Sequence, residues 1–160
     1  MLKQLARSWF GDFSWPELKK FLYLSFIFFF TIGVYWLLRI TKDSVFKTIV
    51  GWVNQPYAKI LSVVVVIPLV MIYGALADRF PRQRLFYALT GIYAGLGILF
   101  YFLLNNPQIG MANSNPDVSR LLGWFYYIYV ESFGSIMVAL FWAFAADTTT
   151  PESAKRGYFI

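Results

Sequence analysis

Three charges, Arg39, Lys42 and Asp43, stand in the stretch LLRITKDS directly after eighteen uncharged residues, Phe21 to Leu38. A fourth, Glu131, is the single charge between Leu121 and Ala146. Cations behind an apolar segment have two uses: they anchor the end of a membrane helix, or they snorkel along it and offer their charge to a polar ligand. The second use makes Arg39 and Lys42 anion-binding groups. At helical spacing Thr31, Tyr35, Leu38 and Lys42 share one face, with Arg39 and Asp43 on the adjoining one. An acid in mid-membrane costs about 2.5 kcal/mol or more, so Glu131 is expected to face a bundle interior and to have a partner. Gly134, Ser135, Val138, Trp142 and Ala145 follow on its face and could line a cavity; the alternative is a structural acid bonded to a neighbouring helix. Half of a roughly 30 Å apolar core is about 15 Å. Lys42 at the outer end of one helix and Glu131 at mid-depth of another are therefore expected to act separately. Tyr35, Trp36 and Trp142 could stack on a planar base.

The elements that carry these residues are set by composition. The chain is 59% apolar and 21% aromatic, with 14% charged residues, which points to a bilayer as its solvent. A spanning helix needs roughly 20 mostly apolar residues. Four such stretches are expected, at about 18–41, 57–77, 85–104 and 121–146, with a fifth helix beginning at about 151. The fold class is all-α, a polytopic transmembrane helical bundle. Ser14, Pro16 and Glu17 have capping-box form at the first start, and Thr149, Pro151 and Glu152 repeat it. Pro68 is a possible kink in the second helix, and Gly91 and Gly95 have the spacing of a close helix contact in the third. Residues 105–120 are a polar, turn-rich loop. The chain is expected to be the front part of a longer membrane protein, with its first helix retained.

The net charge of +6 sits mostly between the apolar runs, so it points to topology and away from nucleic acid. Residues 1–15, 79–84 and 147–156 are expected to be cytoplasmic, and 43–56 and 105–120 to face the other side. Arg39 and Lys42 are exceptions to that bias. There is no Cys and no His, which leaves no thiol chemistry and removes the commonest metal and proton-relay ligands. No phosphate-cradling glycine loop or nucleophile–base pair is visible. No enzymatic activity, cofactor or metal is expected.

Between the second and third helices lies GALADRFPRQR, Gly74 to Arg84. Gly74 permits close helix contact, Asp78 sets a carboxylate at the membrane edge, and Arg79, Arg82 and Arg84 hold a loop at the cytoplasmic face. The motif resembles the loop signature of the major facilitator superfamily, with Pro81 in place of the usual second glycine. That resemblance implies a conformational latch made by Gly74, Asp78, Arg79 and Arg82; the alternative is an ordinary basic inside loop.

Taken with GALADRF, four further motifs resemble the ATP/ADP translocase family of obligate intracellular bacteria and plastids: R-x-x-K-D at 39–43, E-x-x-G-S at 131–135, L-F-W at 140–142 and E-x-A-K-R at 152–156. The resemblance spans about residues 18–158. It implies an inner-membrane, facilitator-like carrier with its N-terminus in the cytoplasm, exchanging ATP for ADP together with a C-terminal half. It also implies substrate contacts at Lys42 and Glu131; Arg39 and Tyr35 join them as substrate-binding candidates from charge and helical face alone. Phe133, Asp147 and Gly157 depart from the family pattern and bear on the substrate more than on the fold. Two other functions stay open: proton-coupled uptake of a nucleotide or organic anion with Glu131 as proton carrier, and a facilitator-like scaffold that transports nothing.

Overall fold

The computed structural model describes residues 15–149, and all of its regular structure is helical. Helix α1 spans Trp15–Ile49, α2 Gln55–Arg79, α3 Arg82–Leu104 and α4 Leu121–Thr148, with a single 3-10 turn at Trp52–Asn54. Ser14 and the expected fifth helix lie outside the described residues. All four α-helices are long and apolar enough to cross a membrane. Their apolar residues are spread around each cylinder instead of forming one stripe, the pattern of helices surrounded by lipid and by one another.

Each helix overlaps one of the four expected stretches, and three ends differ from the expected bounds. Helix α1 does not stop near Thr41; it runs two turns further, to Ile49, and its 35 residues reach about 52 Å. What ends it is Gly51, at φ 103°, whose amide donates to the Phe46 carbonyl at 3.2 Å. A left-handed residue of this kind is a usual helix stop and is open to glycine at little cost. Between α2 and α3 the expected loop shrinks to Phe80 and Pro81. Gly74 to Arg79 complete α2, and Arg82 to Arg84 open α3. Phe80 is extended, at φ −118° and ψ 145°, as a residue before proline tends to be. Helix α2 continues unbroken through Pro68.

Helix α4 is the centre of the bundle. It packs against α1, α2 and α3, while α2 and α3 barely meet. Its fully buried side chains Tyr127, Val130 and Leu140 join Phe46, Ile49 and Val50 of the α1 end in one core. The Tyr129 hydroxyl donates to the Tyr93 carbonyl at 3.1 Å and ties α4 to α3. Gly74, Gly91 and Gly95 have no heavy atom within 4 Å of where a side chain would begin, so no described helix uses them for close approach. The glycines that do so are on α4. A Cβ on Gly123 would stand 2.5 Å from Cγ2 of Val50, and one on Gly134 would overlap the Tyr35 ring.

Two ends of the bundle follow from these contacts. At one, the Arg82 guanidinium donates to the Ala143 carbonyl of α4 at 3.2 Å, and Lys19 and Lys20 of α1 lie beside Thr148. At the other, the Asp117 amide donates to the Ile49 carbonyl at 3.0 Å. There the 105–120 loop closes around Arg120, whose guanidinium donates to the carbonyls of Ile109, Gly110, Asn113 and Asn115. The Ser119 amide and hydroxyl hold the Asp117 carboxyl below the usual carboxylate range. From Gly123 to Ala143 the α4 axis advances about 30 Å, the thickness of an apolar bilayer core.

Candidate functional site at the seam of the first and fourth helices

Helix α1 brings Tyr35, Lys42, Phe46 and Ile49 to the seam, at intervals of seven, four and three residues; α4 answers with Tyr127, Glu131 and Gly134, at four and three. Both sets follow the helical repeat, so each lies along one face. Because α1 continues past Lys42, that residue stands well inside a helix and level with Glu131. Its ammonium is paired directly with Glu131 Oε1. This corrects the expectation of separate roles: that expectation rested on a helix end at Thr41, which the structure moves to Ile49.

Lys42 is 6% exposed, the only buried charged residue among those described. Its Nζ also donates to the Tyr127 hydroxyl at 3.2 Å, with the Tyr127 ring centroid 4.3 Å away. A second carboxylate, Asp43, stands 3.9 Å from the same Nζ, and Gln55 at the start of α2 donates to it at 3.1 Å. The cluster therefore holds one cation and two carboxylates. Of the two carboxylates Glu131 is the one in hydrogen-bonding contact with Lys42, so an incoming anion that takes its place reaches the ammonium. The Glu131 side chain keeps 35% of its exposure, so that side of the pair is open.

Tyr35 and Arg39 adjoin the pair. The Tyr35 ring fills the notch at Gly134, and its hydroxyl accepts from Arg39 Nη1 at 3.0 Å. The exposed Arg39 guanidinium also stands over Trp36, 5.4 Å from its ring centroid. The structure thus brings Tyr35, Arg39, Lys42 and Glu131 to one stretch of seam. Further along the Glu131 stripe, Ala145 is buried with Phe21, and Trp142 meets the Phe28 ring at 5.3 Å. Much of that stripe is helix contact and not cavity lining. Gly74, Asp78, Arg79 and Arg82 lie at the far end of the bundle, with Asp78 and Arg79 exposed and Arg82 engaged by α4.

Sequence reasoning missed Tyr127 and Gln55. The signal for Tyr127 was its place four residues before Glu131; nothing local marks Gln55. A groove of about 650 Å³ between α2, α3 and α4 is lined by apolar residues such as Leu89, Leu96 and Phe125 and contains no charged group. It is a different place from the seam, and the seam has the chemistry.

Four apolar helices, two of them joined by a lysine–glutamate pair, define a multi-pass helical membrane protein. Residues 3–160 match the model of the TLC ATP/ADP transporter family, and the chain belongs to that family. It is 31% identical to ADP,ATP carrier protein 5 of Rickettsia felis, over 99% of this chain and 37% of that protein. It is 27% identical to ADP,ATP carrier protein 4 of Rickettsia bellii, over 93% of this chain and 33% of that one. With ADP,ATP carrier protein 1 of the same species the identity is 30%, over 90% and 34%. The chain thus spans about a third of the length of these relatives. No solved structure matches it.

Proposed function

We propose that the chain is the N-terminal part of a secondary transporter that exchanges ATP for ADP by alternating access, with the α1–α4 seam in its nucleotide site. The observation that supports this most is the buried Lys42, paired with a partly exposed carboxylate that a phosphate can replace. An ammonium donates to either group, and charge-assisted bonds of this kind are the strong ones. Arg39, exposed and braced on Tyr35 and Trp36, would meet the polyphosphate first. In pairing with Lys42, Glu131 has a task other than carrying a proton, which favours exchange over proton symport.

In this proposal the bilayer is a cell inner membrane and the N-terminus is cytoplasmic. Lys19, Lys20, Arg79, Arg82 and Arg84 gather at the end of the bundle that this orientation makes cytoplasmic, in keeping with the bias of basic residues toward the inside. Asp78, with Arg79 and Gly74, would latch that end to the C-terminal half, and Arg82 would set the angle of α3 against α4. Ser114→Cys should react with an impermeant thiol reagent from the outside only, free of background because the chain has no other cysteine. Reaction from the cytoplasmic face alone would invert the topology.

The transport test uses the full-length protein in proteoliposomes. Uptake of labelled ATP is expected to rise severalfold when ADP is preloaded, and to ignore an imposed pH gradient. Uptake driven by the gradient and indifferent to internal ADP would replace exchange with proton symport. Absence of nucleotide binding would leave a scaffold. In the same assay Asp78→Asn should change the rate far more than the apparent affinity; an equal loss of both would make Asp78 a folding residue.

A further inference from the structure

Tyr127 touches the candidate site through an atom that the proposed exchange does not yet use. The residue is 1% exposed. Its ring meets Phe46 edge-on at 5.4 Å, and Phe46 meets Trp124 edge-on at 5.2 Å, so aromatic packing from both helices holds it in place. Its hydroxyl accepts from Lys42 at 3.2 Å while its ring lies beside the same ammonium. Of the groups around Nζ, Tyr127 is held by its packing and Asp43, 3.9 Å away, by Gln55; Glu131 is the carboxylate in hydrogen-bonding contact, with its side chain partly exposed.

We propose that Tyr127 is a positioning residue for Lys42: it keeps the ammonium at the α1–α4 seam while a substrate phosphate takes the place of the Glu131 carboxylate. The inference rests on Lys42 being a nucleotide-binding group. A lysine ammonium ends a flexible four-carbon stem and loses order when its partner leaves. A fixed phenol oxygen, with an adjacent ring face that attracts cations, holds it without adding a charge that would compete with the incoming anion.

Tyr127→Phe keeps the ring and removes the acceptor. In the full-length protein it is expected to raise KM for ATP exchange about tenfold, the low end of the scale of one hydrogen bond to a charged group, with a smaller change in kcat. In a Lys42→Gln background the same substitution should add nothing, because its effect acts through the lysine. A loss that persists in that background, or a fall in kcat at constant KM, overturns the proposal. A second readout needs no nucleotide. In a Glu131→Gln background, acetylation of Lys42 by acetic anhydride, followed by mass spectrometry, should be faster once Tyr127 is Phe; an unchanged rate overturns the proposal. A faster rate in a protein whose wild type exchanges no nucleotide upholds the positioning role and overturns nucleotide exchange.

Discussion

Lys42→Gln and Glu131→Gln are each expected to lower the thermal unfolding midpoint in detergent by several degrees, and the double variant to lie closer to the wild type than either single one. Removing one member of a buried ion pair strands the other, at a cost of about 3–5 kcal/mol for a fully buried pair. The low end of that range applies here, because the Glu131 side chain is still 35% exposed. With both charges gone the penalty disappears, and the double-mutant cycle should give a coupling of at least about 1 kcal/mol. Additive losses would show that the two side chains do not interact in the folded protein. Exchange should behave differently. All three variants are expected to transport poorly, because recovered stability does not restore a cation for phosphate.

Gly123→Leu should have the larger effect on folding. The Gly123 Cα faces Ile49 and Val50, which are 0% and 2% exposed, and a new Cβ would already stand 2.5 Å from Val50 Cγ2. Both neighbours are β-branched, stiff at χ1 and fully buried, so a leucine here is expected to push α1 away from α4 at its Gly51 end. Overpacking of this kind costs about 1–3 kcal/mol, and more where backbone must move. The shift would also pull Lys42, two turns back, from Tyr127 and Glu131. Low yield of monodisperse protein is expected from Gly123→Leu, with Gly123→Ala intermediate. Wild-type yield and unfolding midpoint for Gly123→Leu would mean that the two helices do not approach as described.

The four spans were legible because a run of about 20 apolar residues in lipid has one outcome, a helix whose backbone bonds are satisfied within it. The ends were less so. A charge ends an apolar run in the sequence, but it ends a helix only when it has no partner at that depth. Lys42 has Glu131, and the knowledge of that pairing lies 89 residues away. The stop signal that held was local: Gly51 at positive φ. Tyr35, Arg39, Lys42 and Glu131 could be chosen from charge and helical face, but their union on one seam depends on the register of α1 against α4. Tyr127 was hidden by company, since 21% of the chain is aromatic and no composition rule singles out one ring. The four carbonyls that take up Arg120 were equally hidden, because a folded loop, and not a motif, gathers them.

The central place of α4 has a consequence for synthesis. Chains emerge from the ribosome at about 5–20 residues per second, so the 89 residues between Lys42 and Glu131 take roughly 4–18 s to follow. During that interval α2 and α3 join α1 in the membrane without the helix they all pack against, and α2 and α3 offer each other little. A lysine without its carboxylate partner can keep its charge in water by snorkelling toward the headgroups. The arrival of α4 then captures the lysine and gathers three loosely held helices at once, which makes the nascent chain between residues 42 and 131 the stage at which a chaperone or insertase has most to protect.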